Sequence, residues 1–355
     1  MPDVRHGHSV HVYNDVMYLI GGNSNGTLRN TVYYSKLNSD GTMNAWTATT
    51  SFTTARSSFG GSMTGLWGAY IYIAGGCSAL TSGYCSTVAS DVQLASINSD
   101  GTIGDWGSIT NLSNQRIGYS FVAWQNGLYR FGGCNRQNTS TGACYSTFRD
   151  VEYGNINPDG DASTVSNSEP AGTAPCTGGS TTDCDLPGAG DGSTQGGQMS
   201  SMTVINNGYI YVIGGCTDIS QSAECTGTFA VTAMSGNISY AALDSAGQMV
   251  RAATCGGTFV TDSVWCVDST NRINGTTGIG TGTATVFNNV IYVIGGTTGT
   301  TWSSTVYRVS LSSNGSLSGA WSSHTFANLD LGSARGYAYA FTRANPSSAS
   351  TYPGN

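Results

Sequence analysis

VMYLIGG, residues 16–22, returns as YIYIAGG (70–76), GLYRFGG (127–133), YIYVIGG (209–215) and VIYVIGG (290–296). In every copy a Tyr stands three residues before the first Gly: Tyr18, Tyr72, Tyr129, Tyr211 and Tyr292. A second short apolar run precedes each copy: HSVHVY, SSFGGSMTGLW, YSFVAW, SSMTVI and TATVF. Tight-turn residues such as Asn14-Asp15, Asn126-Gly127 and Asn207-Gly208 join the two runs, where the backbone needs positive φ. After the Gly pair and a variable loop comes a third run: TVYYSKL, DVQLASI, DVEYGNI, ISYAAL and TVYRVSL. A turn at Gly41, Gly101, Gly160, Gly247 or Gly315 leads to a fourth, starting near Trp46, Trp106 and Trp321. Four short strands, A to D, repeated five times predict an all-β β-propeller of four-stranded antiparallel blades.

The unit resembles the kelch repeat. The resemblance rests on the Gly pair after strand B, the Tyr before it, the strand-D Trp, and an Arg ahead of strand A (Arg5, Arg56, Arg116, Arg335). It covers nearly the whole chain and departs from the kelch pattern at strand C and its turn. Kelch-like rings usually have six or seven blades, and the fold hosts binding modules and a few enzymes. A single domain is expected over residues 1–343, with insertions at about 167–197 and 253–279 and a tail at 344–355. Residues 334–341 (ARGYAYAF) repeat the strand-A signature with no B to D after it. That is one strand more than five blades need.

Composition narrows the setting. Charged residues make up 9% of the chain, there are 50 Gly, and net charge is −7. No basic patch can release counterions, so neither nucleic acid nor an anionic membrane surface is an expected partner. No apolar run is long enough to span a bilayer as a helix. No signal peptide is visible before the first repeat, so the sequence reads as a mature or excised piece.

The ten cysteines fall into neighbouring pairs: Cys77/Cys85, Cys134/Cys144, Cys176/Cys184, Cys216/Cys225 and Cys255/Cys266. Their spacings do not match zinc ligands, and the even count predicts local disulfides made in an oxidising, extracellular or cell-surface compartment. Each would stabilise by roughly 2–3 kcal/mol. Three pairs directly follow a Gly pair and two lie between strand D and the next strand A. All five are therefore expected on the one face that carries the B–C and D–A loops. The Gly-pair spacing also lengthens from 54 and 57 to 82 and 81 after blades 3 and 4, which lack the strand-D Trp. The insertions are expected to replace that Trp and its Arg.

Candidate chemistry is sparse. His6, His8, His11 and His324 are the only histidines. His6 and His8 share one side of a strand, which permits a metal site or simple packing. No Ser-His-Asp set can be assembled, and no catalytic residue, metal or cofactor is expected. The Arg residues before strands A either line the channel or tie the blades together. Aromatic residues in the decorated loops, Tyr84, Tyr145, Trp265 and Trp302, either stack on a ligand or cover their own disulfides. The expected function is a non-catalytic extracellular or cell-surface adhesion module that recognises a glycan or protein through the disulfide-rich face. The alternatives are a self-associating fibre or layer subunit and a carbohydrate-active or copper-oxidase-like enzyme.

Overall fold

A computed structural model describes residues 1–163, 165, 184–187, 199–217, 235–261, 263–275, 277–299 and 301–324. Strands are the only extended regular elements among them, arranged as five radial blades. Blade 1 runs β1 (Ser9–Tyr13), β2 (Val16–Ser24), β3 (Thr27–Lys36), β4 (Thr47–Thr49). Blade 2 runs β5 (Thr64–Trp67), β6 (Tyr70–Ala74), β9 (Asp91–Ser96), β10 (Gly107–Asn111), with a separate hairpin of β7 (Cys77–Thr81) and β8 (Tyr84–Val88) in its B–C loop. Blade 3 has β11 (Ser120–Trp124), β12 (Gly127–Phe131) and β13 (Val151–Asn155). Blade 4 has β14 (Met202–Asn206), β15 (Tyr209–Ile213) and β16 (Ile238–Leu243). Blade 5 runs β20 (Thr283–Phe287), β21 (Val290–Ile294), β22 (Val306–Ser310), β23 (Ser322–His324).

The fourth strand of blade 4 is split. β17 (Met249–Val250) pairs with the far end of β16, and β19 (Cys266–Asp268) pairs with its near end. β18 (Thr258–Phe259) extends the sheet beyond β19. The insertion at 253–279 thus folds back and refills a strand-D position. This corrects the expectation that all the disulfides crown one face. Cys255–Cys266 lies along the outer side of blade 4, since Cys266 is opposite Tyr240, midway along β16. Cys184 likewise sits in the core between blades 3 and 4.

Each Gly pair serves a close approach. Gly21 and Gly22 have φ of 59° and 103°, and a Cβ on Gly21 would lie 3.0 Å from the Arg56 carbonyl oxygen of the next blade. Only glycine combines that backbone with that contact. The Tyr of each strand B completes the joint. Tyr18 donates to the Gly101 carbonyl (3.0 Å), Tyr72 to Gly160 (2.6 Å), Tyr129 to Gly247, and Tyr211 to Gly315 (2.9 Å). Every acceptor is the C–D turn glycine of the following blade. Four apolar cores lie between successive blades, 1/2, 2/3, 3/4 and 4/5.

The series stops at blade 5. Among the described residues the Tyr292 hydroxyl has no hydrogen-bond partner, and nothing stands within 4 Å of a Cβ placed on Gly41, the matching turn of blade 1. No apolar core joins blade 5 to blade 1 among them either. Blade 1 already holds its own inner strand, β1. The extra strand expected at 334–341 and the tail at 344–355 lie outside the described residues.

Candidate functional site

The arginines ahead of strands A brace their own blades. Arg5, Arg56 and Arg116 donate to the first carbonyl of their Gly pairs, Gly21 (2.9 Å), Gly75 (3.1 Å) and Gly132 (3.1 Å). Arg56 and Arg116 also pair with Asp91 and Asp150 at the start of strand C, while Arg5 turns to Asp3 and Thr31. All three are buried, so they serve packing rather than an anion in the channel. Arg335 lies outside the described residues. Burial raises the Asp91 carboxyl, but Arg56 and Gln93 outweigh it and hold the pKa below the ordinary value.

On the loop face, the residue after each Gly pair bridges back to a residue ahead of strand A: His6 with Asn23, Ser57 with Cys77, Ile117 with Cys134, Met199 with Cys216, Gly280 with Thr297. Cysteine occupies this position in blades 2, 3 and 4. Cys77–Cys85 and Cys134–Cys144 are formed, and with Cys216, Phe59 and Met199 they make a small apolar core under the loops. Of the remaining expected pairs, Cys176 and Cys225 lie outside the described residues, and no described cysteine is free. These disulfides fit an oxidising compartment.

The four aromatic candidates separate. Tyr145 is 52% exposed with the Arg136 guanidinium 4.7 Å over its ring. Tyr84, half-buried, lies against Gly142 of the neighbouring blade's loop, and Gln137 hydrogen-bonds Cys85 there in both directions (2.9 and 3.3 Å). Thus the decorated loops of blades 2 and 3 form one unit. Trp302 is 40% exposed on blade 5 and bridges to Thr297. Trp265 corrects the expectation of a ligand-facing ring. It is fully buried between blades 3 and 4, edge-on to Phe131, and donates to the Cys184 carbonyl (2.8 Å). It takes the place that Trp106 holds between blades 1 and 2, beside Phe52.

A second site was not foreseen. The five inner strands enclose a channel of about 310 Å³. Its walls carry Ser62, Thr64, Ser120, Ser201, Thr203, Thr281 and Thr283, with His11 as the sole titratable side chain among the described lining residues. A belt of backbone hydrogen bonds runs from blade 1 to blade 5 at one end: Ser58 to Gly7, Gly118 to Ser58, Ser200 to Gly118 and Thr281 to Ser200, at 3.0, 3.0, 2.6 and 3.0 Å. His11 Nε2 lies 2.7 Å from Thr64 Oγ1. Enclosure by protein holds its pKa down to about 4 against the raising effect of the Thr64 backbone, so the ring is neutral at physiological pH. The signal in the sequence was the small hydroxyl residue opening strand A in four blades: Ser9, Thr64, Ser120 and Thr283.

Among the described residues, no three His, Cys, Asp or Glu side chains gather to hold a metal ion, and no helix is long and apolar enough to cross a membrane. His8 is buried and His6 partly so; both lie ahead of β1, which starts at Ser9, rather than on one side of a strand as expected.

The comparisons agree with this geometry. The family described as "Kelch motif" matches residues 282–314, strands A to C of blade 5. A solved structure titled "Structure of YjhT" is similar with a TM-score of 0.60 at 13% identity, covering 97% of this chain and 89% of that chain. At that identity the likeness speaks for the fold alone. No curated protein matches the chain. The chain is a kelch-like repeat β-propeller, stapled by disulfides.

Proposed function

We propose that this propeller is a non-catalytic extracellular binding module that grips a glycan or protein surface through its disulfide-pinned loop face. The observation that carries the reading is Tyr145. It is exposed, yet its loop is closed by Cys134–Cys144 and docked on the neighbouring hairpin through Tyr84 and Gln137. An aromatic ring held in place before binding loses little conformational entropy and offers a face for sugar C–H groups or an apolar anchor. Trp302 supplies a second exposed ring. A glycan array probed with the wild type, Tyr145→Ala and Trp302→Ala tests it. Signals lost in Tyr145→Ala support the reading; signals unchanged in both variants refute it.

A second reading, assembly by strand addition, draws on one observation. Tyr292 and Gly41 lack the joint that unites every other neighbouring pair of blades among the described residues. A strand supplied to that sector, from this chain or another copy, would build either a closed ring or a head-to-tail polymer.

A further inference from the structure

The central channel is a built cavity, and its chemistry is selective. All five inner strands are edge strands of their sheets, so their inner edges turn backbone N–H and C=O groups toward the axis. Hydroxyls from blades 2, 3, 4 and 5 add groups that both donate and accept. The Thr203 Oγ1 atom, buried in this wall, has no hydrogen-bond partner. A buried hydroxyl left unmatched costs free energy, which a polar guest would recover once a χ1 turn brings this oxygen from the wall to the lumen.

The walls also exclude. The described lining has no Asp, Glu, Lys or Arg, so a charged guest would lose its hydration with no countercharge to replace it. Val10, Leu66 and Val122 give the lumen apolar strips between the hydroxyls. A volume near 310 Å³ corresponds to about ten waters, too small for a peptide loop and sufficient for one or two sugar rings. At the disulfide face, blade 2 carries a bulge, Phe59-Gly60-Gly61, with positive φ at all three residues. Phe59 packs into the sulfur-rich core where loops of blades 2, 3 and 4 converge, and Gly61 lines the cavity. Phe59 and Gly61 thus tie that end of the cavity to the loop core.

We propose that the channel is a binding site for a small uncharged polyhydroxylated molecule, of the size of a neutral mono- or disaccharide, held by Thr64, Thr203 and His11. This site is separate from the loop face, and each stands or falls alone.

The test is saturation-transfer NMR with glucose, galactose, N-acetylglucosamine, maltose and glucitol, set against glucuronate and glucosamine. The proteins are the wild type, Thr64→Val, Thr203→Val and Tyr145→Ala. Valine keeps the shape of threonine, and Thr203→Val removes no hydrogen bond, so its melting temperature should match the wild type. The expected result is saturable binding of at least one neutral probe, weakened about tenfold or more in Thr203→Val and Thr64→Val and unchanged in Tyr145→Ala. Three results would each overturn the proposal: no neutral probe binds, the charged sugars bind equally well, or binding survives both valine variants. Loss of binding only in Tyr145→Ala would assign the sugar to the loop face instead.

Discussion

The phenol of Tyr211 donates to the carbonyl of Gly315, 2.9 Å away on the next blade. The same bond joins Tyr18 to Gly101, but among the described residues nothing equivalent holds Tyr292. Removing the hydroxyl from Tyr211 leaves a buried carbonyl unmatched, which costs about 1–3 kcal/mol. Tyr211→Phe and Tyr18→Phe are therefore expected to lower the urea midpoint, while Tyr292→Phe leaves it in place. Equal losses in all three would show that the Tyr joints play no special part.

Trp265 and Trp302 should behave oppositely. Trp265 is fully buried and its indole N–H is satisfied by Cys184. Trp265→Ala opens a cavity between blades 3 and 4 and should cost about 3–5 kcal/mol. Trp302→Ala removes an exposed ring and should stay within about 0.5 kcal/mol. Thermal unfolding reads both, and a tolerant Trp265→Ala would return that residue to the list of candidate ligand contacts.

Much of this fold was legible because each blade repeats its joints. The Gly pairs needed positive φ, the turns needed Gly or Asn, and both leave marks in the sequence. Trp46, Trp106 and Trp321 marked the start of strand D to within one residue. Trp265 was misplaced because a ring beside a loop cysteine looks the same whether the insertion stands off the surface or folds back into a strand. Only the pairing of β19 with β16 distinguishes the two. The channel hid for another reason: its hydroxyls are scattered along the chain and meet only when five strands A converge.

Blade 3 carries charge at one cross-strand pair where the other blades are uncharged. Arg130 faces Glu152 where the other blades place Leu19–Tyr33, Ile73–Gln93, Val212–Ser239 and Val293–Tyr307. Both side chains are fully buried, and Glu152 also meets Arg116 at 3.1 Å. Burial lowers the Arg130 pKa toward about 10, opposed by Glu152. Glu152→Gln strands a buried guanidinium and should cost about 3–5 kcal/mol. The double variant Arg130→Val, Glu152→Gln should recover most of that loss in urea unfolding, because Asp150 still serves Arg116. No recovery would mean the pair is needed for more than mutual neutralisation.

Acid should weaken the fold through two histidines. Burial holds His8 down to about 4, aided by the charges of Arg5 and His6 and opposed by the Arg5 backbone and Asp3. His11 is held at about 4 by burial, against the Thr64 backbone. Unfolded, both titrate near 6.5, so the unfolded chain binds more protons between those values. Stability from this source is complete above about 6.5 and drains away as pH falls toward 4, by up to roughly 1.4 kcal/mol per unit for each histidine. Urea midpoints at pH 7.5, 5.5 and 4.5 should fall for the wild type and fall less steeply for His11→Gln. An identical slope in the variant would remove His11 from the account.

The last expectation concerns the sector between blades 5 and 1. Blade 1 is complete without help from the C-terminal segment, since β1 pairs along all five residues with β2. Yet Ala334–Phe341 spells the strand-A signature once more: Gly336, Ala338 and Phe341 fall in step with Gly282, Ala284 and Phe287 of blade 5. A blade face without its neighbour leaves a surface that another element can cover. Deleting residues 334–355 should therefore lower the melting temperature or change the oligomeric state, read by calorimetry and by light scattering on a sizing column. A loss of stability at constant mass would place the segment in its own ring, and a change in mass would place it in a neighbour's. If the truncated chain melts and elutes like the full one, neither closure nor assembly depends on that segment.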